Sequence, residues 1–123
     1  MSDAEPIVRQ AAAIEYESVD AADGMSKGVL IGDDHGAPNV AIRRFVLEAG
    51  GAVPEHTNAV EHEQYVLEGE YTVGIGDEAY DVEAGDSLLI PAGAVHWYRN
   101  ESDEDGAFLC AVPNGDDEIE LLE

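Results

Sequence analysis

In 123 residues the chain carries 28 Asp and Glu against 5 Lys and Arg, a formal net charge of −23, and Lys27 is its only lysine. That balance excludes nucleic acid and anionic membrane surfaces as partners, because phosphates need Lys and Arg to neutralise them. The acids run the whole length beside a 45% hydrophobic fraction, which describes a hydrated surface over one modest core.

Residues 1–13 show no clear period and read as a flexible N-terminal arm. From Ala11 to Val19 the pattern fits a helical turn or a strand equally, and Gly24 breaks it. Gly28–Gly32 reads as a short glycine-bounded strand, and Asp33–Asn39 is dense in turn residues, with His35 expected in solvent. Val40–Glu48 is β-branched and apolar, and Gly50-Gly51 is expected to end it. Gln64–Leu67, Tyr71–Ile75, Ala79–Val82, Ser87–Ile90, His96–Arg99 and Ala107–Val112 follow as strands separated by Gly and Asp turns. Strands this short and this regularly interrupted predict an all-β sandwich or barrel over residues 14–115, with an acidic C-terminal tail at 116–123. Terminal strands exchanged between two chains would cover exposed edges, so a homodimer is expected.

Self-repulsion at this charge destabilises a compact state, and screening over about 3 Å at 1 M salt relieves it. The expectation is a halophilic protein in a salt-rich cytoplasm; a melting temperature that falls steadily as salt is added contradicts it. The acidic opening MSDAEP lacks a leader pattern, no apolar run reaches membrane-spanning length, and the single cysteine, Cys110, allows no internal disulfide. All three features fit the cytoplasm.

Two blocks carry the chemistry. The first is G-x5-H-x-N-x3-H-x6-G, with Gly50, His56, Asn58, His62 and Gly69 at the fixed positions. The second is G-x5-P-x-G-x2-H-x3-N, with Gly85, Pro91, Gly93, His96 and Asn100. In a strand, residues two apart share a face, so His56 and Asn58 point the same way. His62 lies just beyond, where the chain crosses to the next strand, and His96 comes from a second hairpin. Imidazoles from three chain positions with an open face suit one divalent transition metal, Mn, Fe, Zn, Ni or Cu.

Both blocks resemble the paired motifs of the cupin family, whose fold is a double-stranded β-helix, or jelly-roll barrel. The resemblance implies a metal held between two hairpins by His56, Asn58, His62 and His96. Most cupins read H-x-H-x3,4-E-x6-G in the first block; here Asn58 stands at the second His position and His62 at the Glu position. A competing register makes Glu63 the ligand but leaves one residue too few before Gly69. The variant is similar to a His-rich subgroup of small single-barrel cupins, often manganese-binding. That similarity extends to Gly28–Gly32, Ala37-Pro38-Asn39, and Phe108-Leu109-Cys110 with Pro113, covering roughly residues 24–115.

Around the site, Arg43 alternates with Phe45 and Leu47. Turned inward, it is a candidate to bind an anionic substrate; turned outward, it pairs with surface acids. Phe108 and Cys110 share a face and are expected to line the pocket with Arg43, Cys110 as a small buried residue or a redox group. Tyr98 is a candidate catalytic phenol, and Trp97 should face the other way. Three readings follow: a metal-dependent enzyme on a small molecule, of the oxygenase type or an isomerase; a non-catalytic small-ligand-binding or sensor module; and a structural protein.

Overall fold

The computed structural model describes residues 4–115 and 119–121. Among the described residues, all regular structure beyond two 3-10 turns, Ala11–Ala13 and Asp33–His35, is strand. In chain order the strands are β1 (Tyr16–Ser18), β2 (Asp23–Ile31), β3 (Val40–Asn58), β4 (His62–Glu68) and β5 (Glu70–Ile75). They continue as β6 (Glu78–Glu83), β7 (Ser87–Ile90), β8 (His96–Arg99), β9 (Gly106–Pro113) and β10 (Ile119–Leu121). The all-β jelly-roll expectation holds.

The 19-residue β3 organises the barrel because it serves two walls. Its first half pairs with β2 and β9, and β9 continues to β4 and β7. Its second half pairs with β8 and β10, and β8 continues to β5 and β6. Every pairing is antiparallel.

Gly50-Gly51 does not end this strand; it turns it from one wall to the other. Gly50 has φ +79°, a conformation costly for any residue with a Cβ. A Cβ on Gly51 would come within 2.8 Å of the Glu48 carbonyl oxygen and 2.9 Å of that of Gly24. Glycine in a strand interior marks a tight barrel corner as well as a break. Here Gly50 N–H bonds the Asn100 carbonyl and Asn100 N–H bonds that of Gly51, both at 2.9 Å, so the ladder continues through the corner.

Ala11–Val19 holds both alternatives read from it, a 3-10 turn and then β1. Within the arm, Arg9 donates to the carbonyls of Val29 and Leu30, each at 2.8 Å. His35 is half-buried rather than in open solvent, its Nδ1 accepting the Gly32 N–H at 3.0 Å. Residues 1–3 of the arm and 116–118 and 122–123 of the tail lie outside the described residues, but Ile119–Leu121 pairs with Asn58–His56 of β3.

The core lies between the walls, around Leu47, Val66, Val73, Ile90 and Phe108, all nearly solvent-free. Each such side chain contributes about 1.5–3 kcal/mol by leaving water. Phe108 stacks on Phe45 at 5.1 Å and on Tyr98 at 5.5 Å, which ties one wall to the other. Among the described residues no helix is long and apolar enough to cross a membrane.

Candidate metal centre

Strand pairing explains why the three histidines meet. His56 and His96 are direct cross-strand partners, with ring centroids 4.0 Å apart. His62 begins β4, and its ring lies 6.3 Å from that of His96. Asn58 follows His56 by two residues on the same face, and all four side chains are buried. Of the two registers, alternation turns His62 inward and leaves Glu63 exposed, its carboxyl raised by hydrogen bonding to Glu61.

The imidazoles are oriented from behind. His56 Nδ1 lies 2.8 Å from the Pro54 carbonyl oxygen, and His96 Nδ1 lies 2.9 Å from that of Ala94. A carbonyl only accepts, so each Nδ1 carries a proton and donates it, which leaves Nε2 as the ring nitrogen through which a metal ion would be held. His62 is held differently, with Nδ1 3.4 Å from Cys110 Sγ.

No group of three or more His, Cys, Asp or Glu among the described residues is arranged to hold an ion as it stands. An amide supplies what that set lacks. Asn58 Oδ1 is buried with no hydrogen-bond partner, and a buried acceptor left unmade costs about 1–3 kcal/mol. An orphaned amide oxygen beside two imidazoles oriented through Nδ1 is a donor set that fits a divalent transition ion.

These groups line one cavity of about 190 Å³, whose apolar walls include Met25, Phe45, Val53 and Phe108. Residues 43–112, more than half of the chain, match the cupin domain family. The chain belongs to the cupin family. No curated protein matches its sequence. Among solved structures it is similar to the polyketide cyclase RemF from Streptomyces resistomycificus, at 24% identity over 97% of this chain and 87% of that one, with TM-score 0.88. A cupin-2 domain protein from Rhodospirillum rubrum gives 20% identity over 100% and 83%, with TM-score 0.81. An oxalate decarboxylase–formate complex from Lactobacillus farciminis gives 21% over 90% and 34%, with TM-score 0.76. At these identities the likeness concerns the fold.

In this cupin Arg43 faces inward, 8% exposed, and lines the cavity with its guanidinium 5.2 Å from the Phe45 ring centroid. Phe108 lines it as well. Cys110 does not: it sits one layer behind the wall, fully buried, within 3.4 Å of Arg43 Nη2. Burial raises its thiol, but the His62 hydrogen bond and the Arg43 charge outweigh burial and leave it lowered. Tyr98 lines the cavity, and burial holds its phenol well above the usual range despite a hydrogen bond from Gln64. Trp97 faces away, packed over Gly74, where any Cβ would collide with the indole.

Gln64 is a polar cavity residue that the motifs do not point to. It is 4% exposed and lies two residues after His62, so strand alternation already places it on the inward face. A polar residue recurring at that step was the available signal. Lys27 also lines this cavity, which places two of the chain's five Lys and Arg residues around one hole in an acidic protein.

Proposed function

We propose that this cupin is a metal-dependent enzyme acting on a small oxygen-bearing molecule, with chemistry of the oxygenase type. The observation that carries the reading is the orphaned Asn58 oxygen beside the imidazoles at an apolar cavity. His56 and His96 would hold the ion through Nε2, Asn58 through Oδ1, and His62 through the nitrogen turned away from Cys110. When bound, a divalent Mn, Fe, Zn, Ni or Cu ion supplies Lewis acidity and, if redox-active, electrons for dioxygen chemistry. Three imidazoles and an amide are all neutral, so they leave the ion its full charge at the expense of affinity; manganese is the metal that the resemblance to the His-rich cupin subgroup implies.

The chain's own groups then have distinct tasks. The apolar walls exclude water, which strengthens each polar contact at the site. Arg43, steadied by Phe45 and Cys110, offers positive charge to an anionic group of the substrate. Tyr98 keeps its phenolic proton at neutral pH and can donate it as a hydrogen bond.

A second reading, ring closure by Lewis-acid chemistry without oxidation, is favoured by the likeness to RemF along nearly the whole of both chains. Elemental analysis of tag-free protein purified without chelator, followed by oxygen-uptake measurements on metal-loaded protein, tests both. No transition metal, and none taken up when added, rejects the ion. Metal without turnover leaves a small-ligand-binding module. Turnover lost in a folded His62→Ala variant supports the enzyme, and turnover without oxygen uptake favours the second reading.

A further inference from the structure

Gln64 is buried on the cavity wall with its amide held at one end and bare at the other. Its Nε2 donates to the Tyr98 hydroxyl at 2.8 Å and lies 3.9 Å from Cys110 Sγ, its direct cross-strand partner on β9. Because the amide is planar, a clamped nitrogen fixes where the oxygen points. That oxygen, Oε1, is buried and has no hydrogen-bond partner. It is an acceptor oriented in advance, and only a donor can satisfy it.

The ion proposed above does not need it. Gln64 stands two residues beyond His62, and Tyr98 two beyond His96. Each step moves the side chain roughly 7 Å along its strand, at about 3.3 Å per residue. The Gln64–Tyr98 pair therefore forms a row of its own next to the imidazole row, on the side where Phe45 and Phe108 stack.

Size limits what can reach it. The cavity is about 190 Å³, and an apolar cavity of about 150 Å³ holds one benzene ring. There is room for one ring and a substituent or two.

We propose that Gln64 is a specificity-determining residue: the substrate is about one ring in size and presents a phenolic or enolic O–H to Oε1. This rests on the same cavity being the substrate site, and it names the class of molecule that the site takes. A molecule of that class would put its ring against Phe45 and Phe108 and its hydroxyl on Gln64.

Isothermal titration with phenol and with toluene, which have nearly the same shape, tests the assignment on the protein as purified and again after chelator treatment. Gln64→Met removes the acceptor at similar volume. It should lower phenol affinity relative to toluene by about ten- to hundredfold, the range for a buried acceptor and its lost bond. Gln64→Glu keeps a carbonyl oxygen and should retain the phenol preference, which guards against a Gln64→Met chain that does not fold. Tyr98→Phe leaves Oε1 but releases the clamp, and should lose part of the preference. A phenol-to-toluene ratio unchanged in folded Gln64→Met, or no phenol binding by the wild type, overturns the assignment. Metal uptake should be the same in wild type and Gln64→Met; a tenfold loss would make Gln64 a ligand to the ion and defeat this inference alone. A protein that takes up no metal yet keeps the Gln64-dependent ratio defeats the proposed enzyme and leaves the role of Gln64 standing.

Discussion

Asn58 and Asn100 are both motif asparagines, both buried, and they stand at opposite ends of the β3–β8 ladder. At one end, every polar group of the Asn100 side chain is used. Its Nδ2 donates to the carbonyls of Leu47 at 3.0 Å and Glu104 at 2.9 Å, while Oδ1 accepts from the Ser102 N–H at 3.0 Å and its hydroxyl at 2.7 Å. At the other end, Asn58 Oδ1 is buried and unmet. Buried polar groups in folded proteins are nearly always paired. The paired amide is therefore structure, closing the acid-rich loop 101–105 over the corner of β3. The unpaired one is destabilising where it stands, a cost that the proposed metal site would offset.

The largest effect should come from breaking the satisfied end. Asn100→Ala removes four hydrogen bonds and strands the Leu47 carbonyl in the core. Unsatisfied buried groups cost about 1–3 kcal/mol each, so the variant should lose about 3 kcal/mol or more, a drop of roughly 10 °C in Tm. Metal uptake by the fraction that remains folded should be unchanged. A Tm within about 2 °C of wild type, on the same scale, would show that the loop closes without this residue.

Asn58→Leu should behave in the opposite sense. Replacing an unpaired buried amide with a similar apolar volume removes a desolvation penalty, so stability should hold or rise by about 1 kcal/mol. Affinity for added Mn or Zn, read by competition with a coloured chelator, should fall about tenfold or more, in the range found when a residue orienting a metal site is removed. Lower stability with unchanged metal affinity would return Asn58 to the structural class beside Asn100.

How much of this contrast could be read beforehand depends on whether a residue's role is local. The spacing of His56 and Asn58 needs only the two-residue period of a strand, and His96 and Asn100 need only their motif. Even the backing of His56 and His96 is local, since each bonds a carbonyl two residues earlier. The support of His62 by Cys110 is not local: it depends on β4 and β9 being neighbours, which no periodicity states. The same holds for Gly50-Gly51, since a glycine pair that stops a strand and one that turns a corner look alike until the partner strands are known. Gln64 was legible in principle, by one further step of the alternation that turns His62 inward.

The smallest effect should come from a tyrosine pair that repeats the contrast within the core. Tyr98 and Tyr71 are both buried, with rings 6.4 Å apart, but the Tyr98 hydroxyl accepts from Gln64 whereas the Tyr71 hydroxyl has no partner. Tyr71→Phe should therefore leave stability at neutral pH unchanged, or raise it by up to about 1 kcal/mol. Burial, with the neighbouring Tyr98 and Cys110 adding to it, holds the Tyr71 phenol well above the usual range. The unfolded chain titrates first, near pH 10, and a phenol raised in the folded state contributes stability that is lost as pH climbs past that point. Tyr71→Phe removes one such group, so its denaturant midpoint should fall less steeply than wild type above pH 10. A parallel fall in both proteins would mean that the Tyr71 hydroxyl finds a partner in solution, and the rule separating Asn58 from Asn100 would then fail in the core of the same barrel.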